Sequence, residues 1–342
     1  MGTVILGPER AAGGSRPRIG LVLGAGGVLG AAWMTGALPS LQQRLRCAIN
    51  DVDVMVGTSA GSVVAAALRC RAGIDEMIAY QRGEAITLLP DAVLPLPRNG
   101  PLPPLPQLRV GSLPLLRAAV LTPHRVHPAV AASAWLPRGR GQHAEVRALI
   151  HALHQRARRD AAAADSPPHW VDGHTWIVAV DYHSGQRVVF GREDGPSAPL
   201  PDAVVASCSI PGWYEPAVID GRWYVDGGVR SPTSLGVMAA ADVDEVYVLA
   251  PMASVVTDRP ARPQERLERR LRRLVTRALL REAHALSSRG VRVTVITPGP
   301  QDLAVMGINV MDPRRRRAVL ETSLRTSATA LAGRNHGRPR AA

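Results

Sequence analysis

The sequence predicts an α/β fold with a mainly parallel central sheet. Short apolar runs typical of buried strands alternate with helix-like stretches from Arg18 to about Pro298. The first two of these runs each end in a glycine-rich turn that leads into a helix. Repeated strand–turn–helix units of this kind place parallel strands side by side under covering helices. A chain of 342 residues that is 46% hydrophobic and 20% charged can also bury a substantial core.

Two such units open the predicted domain. The apolar run IGLVLG after Arg18 predicts a buried strand, and residues 31–46 predict the helix that follows it. The segment DVDVMVG predicts a second strand, and SVVAAALRC predicts a second, alanine-rich helix. The turns GAGGVLG and GTSAG separate strand from helix in each unit, because glycine-dense segments interrupt regular structure.

The rest of the chain continues the alternation. Residues 143–160 predict a helix, and TWIVAVDYHSGQRVVFG predicts two strands joined by a Ser-Gly turn. Further strand ends are predicted at WYVDGG, EVYVLAP and RVTVITP. A long basic helix is expected over residues 264–289, and a final helix over residues 313–331 with Pro313 in its first turn. We therefore expect one domain over residues 18–333.

Three segments fall outside this pattern. Residues 1–17 and 334–342 have little periodicity and predict flexible tails. Residues 86–140 are dense in proline and leucine, and because proline blocks ordinary helices and central strands, they predict an irregular apolar insertion. This insertion is either a surface loop or a cap that contacts lipid. Its leucine content favours the cap, because polar linkers rarely carry so many apolar residues.

The charge balance favours anionic partners. All 41 basic residues are arginine, the formal net charge is +13 and the sequence pI is about 11.1. An acidic membrane surface, a phosphate-bearing substrate or nucleic acid would each suit this charge, although it can also be a compositional habit. No DNA- or RNA-binding motif accompanies the arginines, so we expect no nucleic-acid partner.

Cysteine, metal and targeting signals are absent from the sequence pattern. Cys47, Cys70 and Cys208 are too few for a disulfide framework, and no cluster has the spacing of zinc ligands. The N-terminal residues do not read as a signal peptide. The apolar stretch over residues 19–38 has the glycines of a strand and turn, not the character of a membrane span. We expect a cytoplasmic protein with no metal and no cofactor.

Ser59 lies in GTSAG, between a predicted strand and a predicted helix. This arrangement is typical of a nucleophile elbow, in which Gly57 and Gly61 leave room for neighbouring backbone to pass close by. The N-terminus of the helix would direct amide groups and a positive dipole end at the hydroxyl and at a developing oxyanion. The alternative is that Ser59 only caps the helix.

Residues 24–30, GAGGVLG, open the first helix and allow two interpretations. A dinucleotide fingerprint built on Gly24 and Gly26 would need a third glycine at position 29, which is Leu29. An oxyanion hole would instead use the amides of Gly26 and Gly27. The serine elbow one βα unit later favours the oxyanion hole.

Asp226 is the candidate base. It ends an apolar strand and precedes Gly227 and Gly228, whereas the histidines that follow it, His284 and His336, lie in the basic helix and in the C-terminal tail. Partial burial would raise the basicity of the carboxylate so that it could take the proton of the serine. The alternative is a hairpin turn, which Asp-Gly commonly forms.

Taken in order, GAGGVLG, GTSAG and DGG resemble the motifs of the patatin-like phospholipase family, as does ASCSIPGWYEPAVIDGRWYVDGG leading into the last of them. The resemblance covers about residues 18–251 without the insertion. It implies a three-layer α/β/α sandwich, Ser59 as nucleophile, Asp226 as base and oxyanion donation by two glycine amides. The implied oxyanion donors are Gly26 and Gly27, and the implied supporting glycines are Gly24, Gly30, Gly57, Gly61, Gly227 and Gly228.

This chain departs from the family pattern at two positions. Ala25 stands where the family commonly has glycine, and Leu29 stands where it has arginine or lysine. A cation in that loop could hold a phosphate head group, so its loss weakens the expectation of a phospholipid substrate more than that of acyl transfer.

We expect a serine acyl-hydrolase that forms an acyl-serine intermediate on a lipid or ester substrate. The alternative is a non-catalytic lipid- or partner-binding module with the same fold. The basic helix carries Leu267, Leu271, Leu274 and Val275 at helical spacing among arginines. These residues predict either a helix packed on the sheet with a solvated arginine face, which is favoured, or docking on anionic lipid, peripherally at the inner membrane face.

Overall fold

A computed structural model describes residues 1–8, 16–45, 47–84, 87–89, 92–93, 104–107, 109–160 and 169–332. Its strands are, in chain order, β1 (Gly2–Leu6), β2 (Ile19–Leu23), β3 (Val54–Thr58), β4 (Thr87–Leu89), β5 (Ala92–Val93), β6 (His174–Asp181), β7 (Arg187–Phe190), β8 (Ala217–Ile219), β9 (Arg222–Asp226), β10 (Glu245–Leu249) and β11 (Arg292–Thr297).

The helices are α1 (Gly27–Arg44), α2 (Ala60–Arg69), α3 (Ile74–Arg82), α4 (Leu113–Leu121), α5 (Pro128–Ser133), α6 (Ala144–Asp160), α7 (Leu200–Cys208), α8 (Pro263–Ser287), α9 (Pro300–Met306) and α10 (Arg316–Ala332). Short 3₁₀ turns occur at Ile49–Asp51, Gly227–Val229, Leu235–Ala240 and Pro313–Arg315. Within the described residues no helix combines the length and the apolar character needed to cross a bilayer.

The main sheet has the strand order β1-β11-β10-β2-β3-β6-β9-β8, with β7 paired to β6. The central pairs from β11 to β6 are parallel, whereas β1, β7, β8 and β9 add in antiparallel orientation. The predicted mainly parallel sheet is therefore confirmed, with antiparallel strands at its margins. In this topology the carboxyl ends of β2 and β3 lie side by side, where α1 and α2 begin.

Helices cover both faces of the sheet, which confirms the predicted three-layer sandwich. On β2, Leu21 and Leu23 face a core shared with α1, α2 and α10, while Val22 faces a second core shared with α8. Successive strand residues point to opposite faces, so a strand buried on both faces is apolar throughout. This explains why IGLVLG is continuously apolar and does not alternate with polar residues.

Two expectations about flexible or irregular segments need correction. Residues 2–6 are not a tail: they form β1, which pairs in antiparallel register with β11 and packs Val4 and Leu6 against the second core. Residues 113–121 and 128–133 are not irregular: they form α4 and α5, and Pro114 and Pro128 stand in the first turns of these helices, where a missing amide costs nothing. Much of the predicted insertion, including residues 94–103, and the tail 334–342 lie outside the described residues.

The predicted basic helix is confirmed as α8, with a different buried face from the one expected. Leu267, Leu271 and Leu274 are more than half exposed, whereas Arg272 is buried and its Nη1 donates to the Pro251 carbonyl at 2.6 Å. Leu279, Ala283 and Leu286 supply the contact with the sheet. The N-terminal half of the helix therefore presents leucine as well as arginine to solvent.

Candidate active site

Ser59 lies in a strained turn between β3 and α2, as the elbow predicts. Its φ of 54° and ψ of −124° fall in a region that non-glycine residues seldom adopt, at a cost on the order of 1–3 kcal/mol. Its amide donates to the Ser207 hydroxyl at 2.8 Å, and Ser207 in turn donates to the Val178 carbonyl at 2.6 Å. The Ser59 side chain makes no capping bond to α2. The helix-cap interpretation therefore does not account for the hydroxyl.

The turn requires glycine on both sides of the serine. A Cβ at Gly61 would lie 1.9 Å from the Leu23 carbonyl oxygen, and a Cβ at Gly57 would lie 2.6 Å from the Ser62 Cα. Real Cβ atoms do not approach other atoms so closely. The two glycines let the start of α2 pass against the end of β2, which brings the serine next to the glycine loop.

The glycine loop leaves two amides without a protein acceptor in the described part of the chain. Gly24 donates to the Leu249 carbonyl at 2.9 Å and Ala25 donates to the Pro232 carbonyl at 2.6 Å, but no acceptor lies opposite the amides of Gly26 and Gly27. Gly27 is the first residue of α1, has a φ of +60° and lines a cavity together with Ser59. These two amides can therefore donate to a substrate oxygen.

The other interpretation of this loop, a dinucleotide site, finds no support in the geometry. The Asp53 carboxylate accepts a hydrogen bond from the Ile19 amide at 2.6 Å. It therefore stabilises the start of β2, away from the glycine loop at the other end of that strand. Leu29 is fully buried in the core between α1 and the sheet. A cation at that position would lose its hydration, which explains why leucine suits this chain there.

Asp226 ends β9, and its carboxylate is buried. Oδ1 accepts the Gly228 amide at 2.7 Å, and the Ser59 hydroxyl lies near enough to the carboxylate to affect its pKa. Burial raises the pKa of Asp226 to about 6, while the nearby Ser59 hydroxyl and the hydrogen bond from Gly228 act in the opposite direction. The carboxylate is therefore charged at neutral pH but is a stronger base than an exposed aspartate.

The turn after Asp226 is not a hairpin. Gly227–Val229 form a 3₁₀ turn, and the Asp226 side chain caps it by accepting a hydrogen bond from the Gly228 amide. The hairpin of this region lies one strand earlier, between β8 and β9, where Asp220 and Gly221 have φ values of 48° and 72°. The positive φ angles at both positions are those of a type I′ turn.

Strand register on β6 brings the serine and the aspartate together. Thr58 of β3 pairs with Val178, and Asp226 of β9 pairs with the next residue, Ala179. Residues 177–180 of β6 pair with β7 on the opposite edge. Strands β3 and β9 therefore pair with the same edge of β6, where their carboxyl-terminal ends face each other. The carboxyl ends of two strands far apart in the chain thus adjoin.

The six supporting glycines lie around this junction. Gly227 and Gly228 follow the aspartate, and a Cβ at Gly228 would come within 3.1 Å of the Ala25 Cβ. Gly24 and Gly30 flank the loop, where Pro251 closes over Gly26 and Gly30. The alanine at the position where the family commonly has glycine is therefore compatible with close contact between the two motifs.

Ser59 opens into a mainly apolar cavity of about 130 Å³. A second cavity of about 50 Å³ continues from it between α2, α3 and α6. Five residues line both cavities: Ala31, Val63, Tyr80, Gln81 and Leu149. An apolar group attached to Ser59 would find apolar walls in this direction.

His143 is a cavity residue that the sequence reasoning missed. Its Nε2 lies 3.0 Å from the Cys208 carbonyl oxygen, and its ring stacks on Tyr214 with 3.8 Å between centroids. Burial lowers the pKa of His143 to about 4, so the ring is neutral at physiological pH. His284 is exposed on α8, and His336 lies outside the described residues. His143 precedes Asp226 in the chain, and no motif surrounds it.

Within the part of the chain that the structure describes, no group of three or more His, Cys, Asp or Glu side chains converges in the manner of a metal site. Cys70 and Cys208 are buried, and burial raises the pKa of each thiol to about 12. Neither thiol is therefore a competing nucleophile at neutral pH.

Solved structures with distant similarity include VipD from Legionella pneumophila, at 12% identity and a TM-score of 0.39, which covers 93% of this chain and 67% of that one. ExoU from Pseudomonas aeruginosa, solved with SpcU, is 17% identical at a TM-score of 0.35, covering 94% of this chain and 61% of that one. The human GIVD cytosolic phospholipase A2, solved with methyl gamma-linolenyl fluorophosphonate, is 13% identical at a TM-score of 0.36. That match covers 92% of this chain and 58% of that one. This chain therefore spans less than two thirds of the length of the last two.

A family model gives the assignment. The model described as patatin-like phospholipase matches residues 21–239, which is more than half of the chain and includes the glycine loop, the serine elbow and the Asp-Gly-Gly turn. The fold and the order of the motifs agree with that match. The chain belongs to the patatin-like phospholipase family.

Proposed function

We propose that this protein is a lipid acyl hydrolase in which Ser59 and Asp226 form a catalytic dyad. The observation that carries the proposal is the strand register on β6, which brings the elbow at Ser59 next to the buried Asp226 carboxylate. In the described part of the chain, the amides of Gly26 and Gly27 in the neighbouring glycine loop have no protein acceptor. The nucleophile Ser59 and the oxyanion donor Gly27 line one apolar cavity, and the base Asp226 lies behind the serine. These are the groups that acyl transfer through a serine requires.

Acylation follows from this arrangement. The Asp226 carboxylate accepts the proton of Ser59 as the serine oxygen attacks the ester carbonyl, and the carbonyl electron pair moves onto oxygen. The amides of Gly26 and Gly27 donate to that oxyanion, and the positive end of the α2 dipole stabilises it further. When the tetrahedral intermediate collapses, protonated Asp226 returns its proton to the departing alcohol and an acyl-serine remains.

Deacylation repeats the sequence with water. Asp226 accepts a proton from a water molecule as the water oxygen attacks the acyl-serine carbonyl. The second tetrahedral intermediate collapses, the C–O bond to Ser59 breaks and Ser59 recovers the proton. The free fatty acid then leaves, and the same carboxylate has served as base and acid in both halves.

The cavity supports a substrate with an acyl chain. Val63 and Ala67 follow Ser59 on one face of α2 at intervals of about one turn, and the second cavity reaches Ala67, Met77 and Leu153. The eight-residue step from Ser59 to Ala67 spans about 12 Å at 1.5 Å per residue, which accommodates an extended chain of about ten carbons. We propose that the acyl chain lies along this face of α2.

The glycine loop offers no cationic side chain that could bind a phosphate head group. Leu29 is buried, and the nearest arginine in the cavity wall, Arg316, donates from Nε and Nη2 to the carbonyls of Gln81 and Tyr80 at the end of α3. We propose acyl esters as the substrate class, with lipids as its members. A panel of phospholipids, lysophospholipids, acylglycerols and simple esters, read by mass spectrometry of released fatty acid, tests this proposal: release from none of them would overturn it.

The alternative is a lipid- or partner-binding module that has kept the fold without the chemistry. A fluorophosphonate separates the two, because an activated serine displaces fluoride from phosphorus and retains the phosphonyl group. Labelling of the native protein at Ser59 supports the hydrolase. A protein that binds lipid yet resists the probe at every concentration would support the binding module.

The pH dependence of turnover should report on Asp226. Asp226 can accept the serine proton only in its ionised form, and burial raises the pKa of this carboxyl group to about 6. We expect kcat/KM for a soluble ester to rise with pH through about 6 and to level off above pH 7. Circular dichroism at each pH separates titration of the base from unfolding. A profile that is flat from pH 5 to 8 in folded protein would contradict the assignment.

Gly27→Ala should impair catalysis through the oxyanion donors. The new Cβ would lie 2.7 Å from the Met311 Sδ and 3.0 Å from the Val310 carbonyl oxygen, on a residue with a φ of +60°. Because the loop must shift, we expect kcat to fall on the order of 100-fold. Gly221→Ala is the matched control, since Gly221 has a φ of +72° with open space around it. Equal losses of kcat in both variants would show that backbone strain alone is responsible.

A further inference from the structure

The described part of the predicted insertion presents an apolar face to solvent. On α4, Leu113, Val120 and Leu121 are exposed at intervals that place them on one side of the helix, with Arg117 among them. Leu115 lies on the opposite side and packs with Val126 and Val130 in a third core cluster. The helix is therefore anchored on one side, and its other side has no apolar partner among the residues that the structure describes.

A second group of apolar residues continues this face. The Ser112 amide donates to the Ala134 carbonyl, and Val110 bridges to Pro137, so the start of α4 lies against residues 134–137. Trp135, 72% exposed, and Leu136 project there. We define the docking face as Val110, Leu113, Val120, Leu121, Trp135 and Leu136 together with the exposed arginines Arg109, Arg117 and Arg125.

The docking face lies in a stretch without acidic residues. None of the 28 Asp and Glu side chains falls between Asp91 and Glu145, whereas this stretch contains six arginines. Arg109, Arg117 and Arg125 are exposed and form no ion pair with any described residue. Positive charge here is therefore not neutralised from within the described part of the protein.

We propose that the docking face binds the surface of an anionic bilayer. Exposed leucine and valine can enter the region between head groups and acyl chains, and each arginine near an anionic surface adds attraction. Tryptophan is enriched at this depth because its ring is apolar and its N–H is polar. Exposed large apolar side chains accompanied by arginines that form no ion pair with a described residue match this partner better than they match the aqueous surface of a monomer.

The docking face adjoins the active-site cavity. Leu136 lies within 3.6 Å of the Cβ position of Gly212, and Gly141 donates to the Trp213 carbonyl at 3.0 Å. Tyr214 and His143, on either side of that contact, line the cavity that contains Ser59. Docking would hold the cavity next to the lipid from which the substrate comes. This consequence rests on the proposed lipid acyl hydrolase function, whereas the docking itself does not.

Helix α8 is the competing basic surface. Leu267, Leu271 and Leu274 are 57–59% exposed and arginines flank them. However, α8 packs behind the second core, on the face of the sheet opposite α1 and α2, which form the walls of the cavity. Its leucines therefore serve as a control with exposed apolar side chains among arginines on another surface of the protein.

Co-sedimentation with vesicles tests the proposal. The full chain carrying Ser59→Ala, which cannot consume the vesicles, is mixed with phosphatidylcholine alone or with 30% of the lipid replaced by phosphatidylserine, about a standard anionic content. We expect binding to the anionic vesicles, weakened by added salt. The variant Leu121→Ser/Trp135→Ser should reduce the partition coefficient roughly tenfold or more. Arg117→Gln/Arg125→Gln should reduce it roughly fivefold or more for anionic vesicles only.

Matched variants decide the outcome. Leu271→Ser/Leu274→Ser on α8 should leave binding within about twofold of the parent, since these residues lie outside the docking face. Binding that ignores anionic lipid, that survives the docking-face variants, or that is lost only in the α8 variant would overturn the proposal. Thermal unfolding checks that the exposed substitutions leave the fold intact.

A soluble short-chain ester separates this proposal from the proposed function. In the catalytically intact background, the docking-face variants should keep kcat/KM for the soluble ester and lose activity only on anionic vesicles. Hydrolysis of the soluble ester by a protein that does not bind vesicles would overturn the docking face and leave the hydrolase standing. Vesicle binding without hydrolysis of any ester would overturn the proposed hydrolase and leave the docking face standing.

Discussion

Ser59→Ala is expected to abolish ester hydrolysis, with a loss in kcat of roughly 10⁴-fold or more. The serine oxygen is the atom that bonds to the acyl group in the proposed mechanism, and no described neighbour can replace it, because burial raises the pKa of the Cys208 thiol to about 12. The elbow itself should persist, since the Ser59 amide still donates to Ser207. Hydrolysis of a soluble ester and fluorophosphonate labelling measure the loss.

Ser62→Ala provides the matched control for this variant. Ser62 is one turn further along α2, fully buried, and its hydroxyl donates to the Ser59 carbonyl at 2.6 Å. Removing that hydroxyl should lower the free energy of unfolding by about 1 kcal/mol and leave fluorophosphonate labelling in place. Retained hydrolysis in Ser59→Ala, or equal loss of labelling in the control, would contradict Ser59 as the nucleophile.

Asp226→Asn is expected to abolish turnover while stabilising the protein at neutral pH. An amide cannot accept the serine proton, so kcat should fall roughly 10⁴-fold. The folded-state pKa of about 6 lies above the pKa of about 3.9 for an exposed aspartate, so the folded protein holds this proton more tightly than the unfolded chain does. The charged form therefore costs folding free energy that asparagine does not.

The stability effect has a defined pH window. Below about pH 4 the carboxyl is protonated in both states, and the two proteins should be equally stable. As pH rises from about 4 to above 6, the native protein loses up to about 3 kcal/mol from this residue, whereas Asp226→Asn does not. Urea unfolding at pH 4 and pH 8 measures the difference. A variant that is less stable than the parent at pH 8 would contradict a net cost of burying the Asp226 charge.

Asp181→Asn distinguishes this effect from the removal of any buried carboxylate. Asp181 ends β6, and its side chain accepts the amides of His183 and Ser184 at 2.9 and 2.8 Å and pairs with Arg222 at 3.4 Å. These partners stabilise the charged form, so we expect no gain in stability at pH 8 and little change in kcat. A similar gain in both variants would show that the effect is not specific to the site.

Much of the site could be predicted because its motifs are local. The strand, turn and helix around Ser59 follow from an apolar run, two glycines and an alanine-rich segment within a few residues of one another. The same holds for the loop that starts α1, although that helix begins at Gly27, four residues earlier than predicted. Because Gly27 is the first helical residue, its amide belongs to the unpaired N-terminal turn.

Other features depend on contacts that no local pattern contains. Residues 1–17 as a whole have little periodicity and predicted a tail, yet residues 2–6 form β1 because the edge of β11 offers unpaired backbone groups. His143 has no motif around it, and packing against Tyr214 places it in the cavity wall. The leucines of α8 have the spacing of a buried face, yet the sheet is covered by residues nearer the C-terminus of the helix.

The sequence by itself determined the α/β alternation, the strained turn at Ser59 and the glycines that this turn and its neighbouring loop require, since each depends on steric limits within a few residues. Only the tertiary structure decided that Asp226 is the residue that meets the serine. Thr58 and Asp226 pair with consecutive residues of β6, and register between distant strands is set by the whole sheet. The tertiary structure also decided the basicity of Asp226, because burial of the carboxylate beside Ser59 raises its pKa.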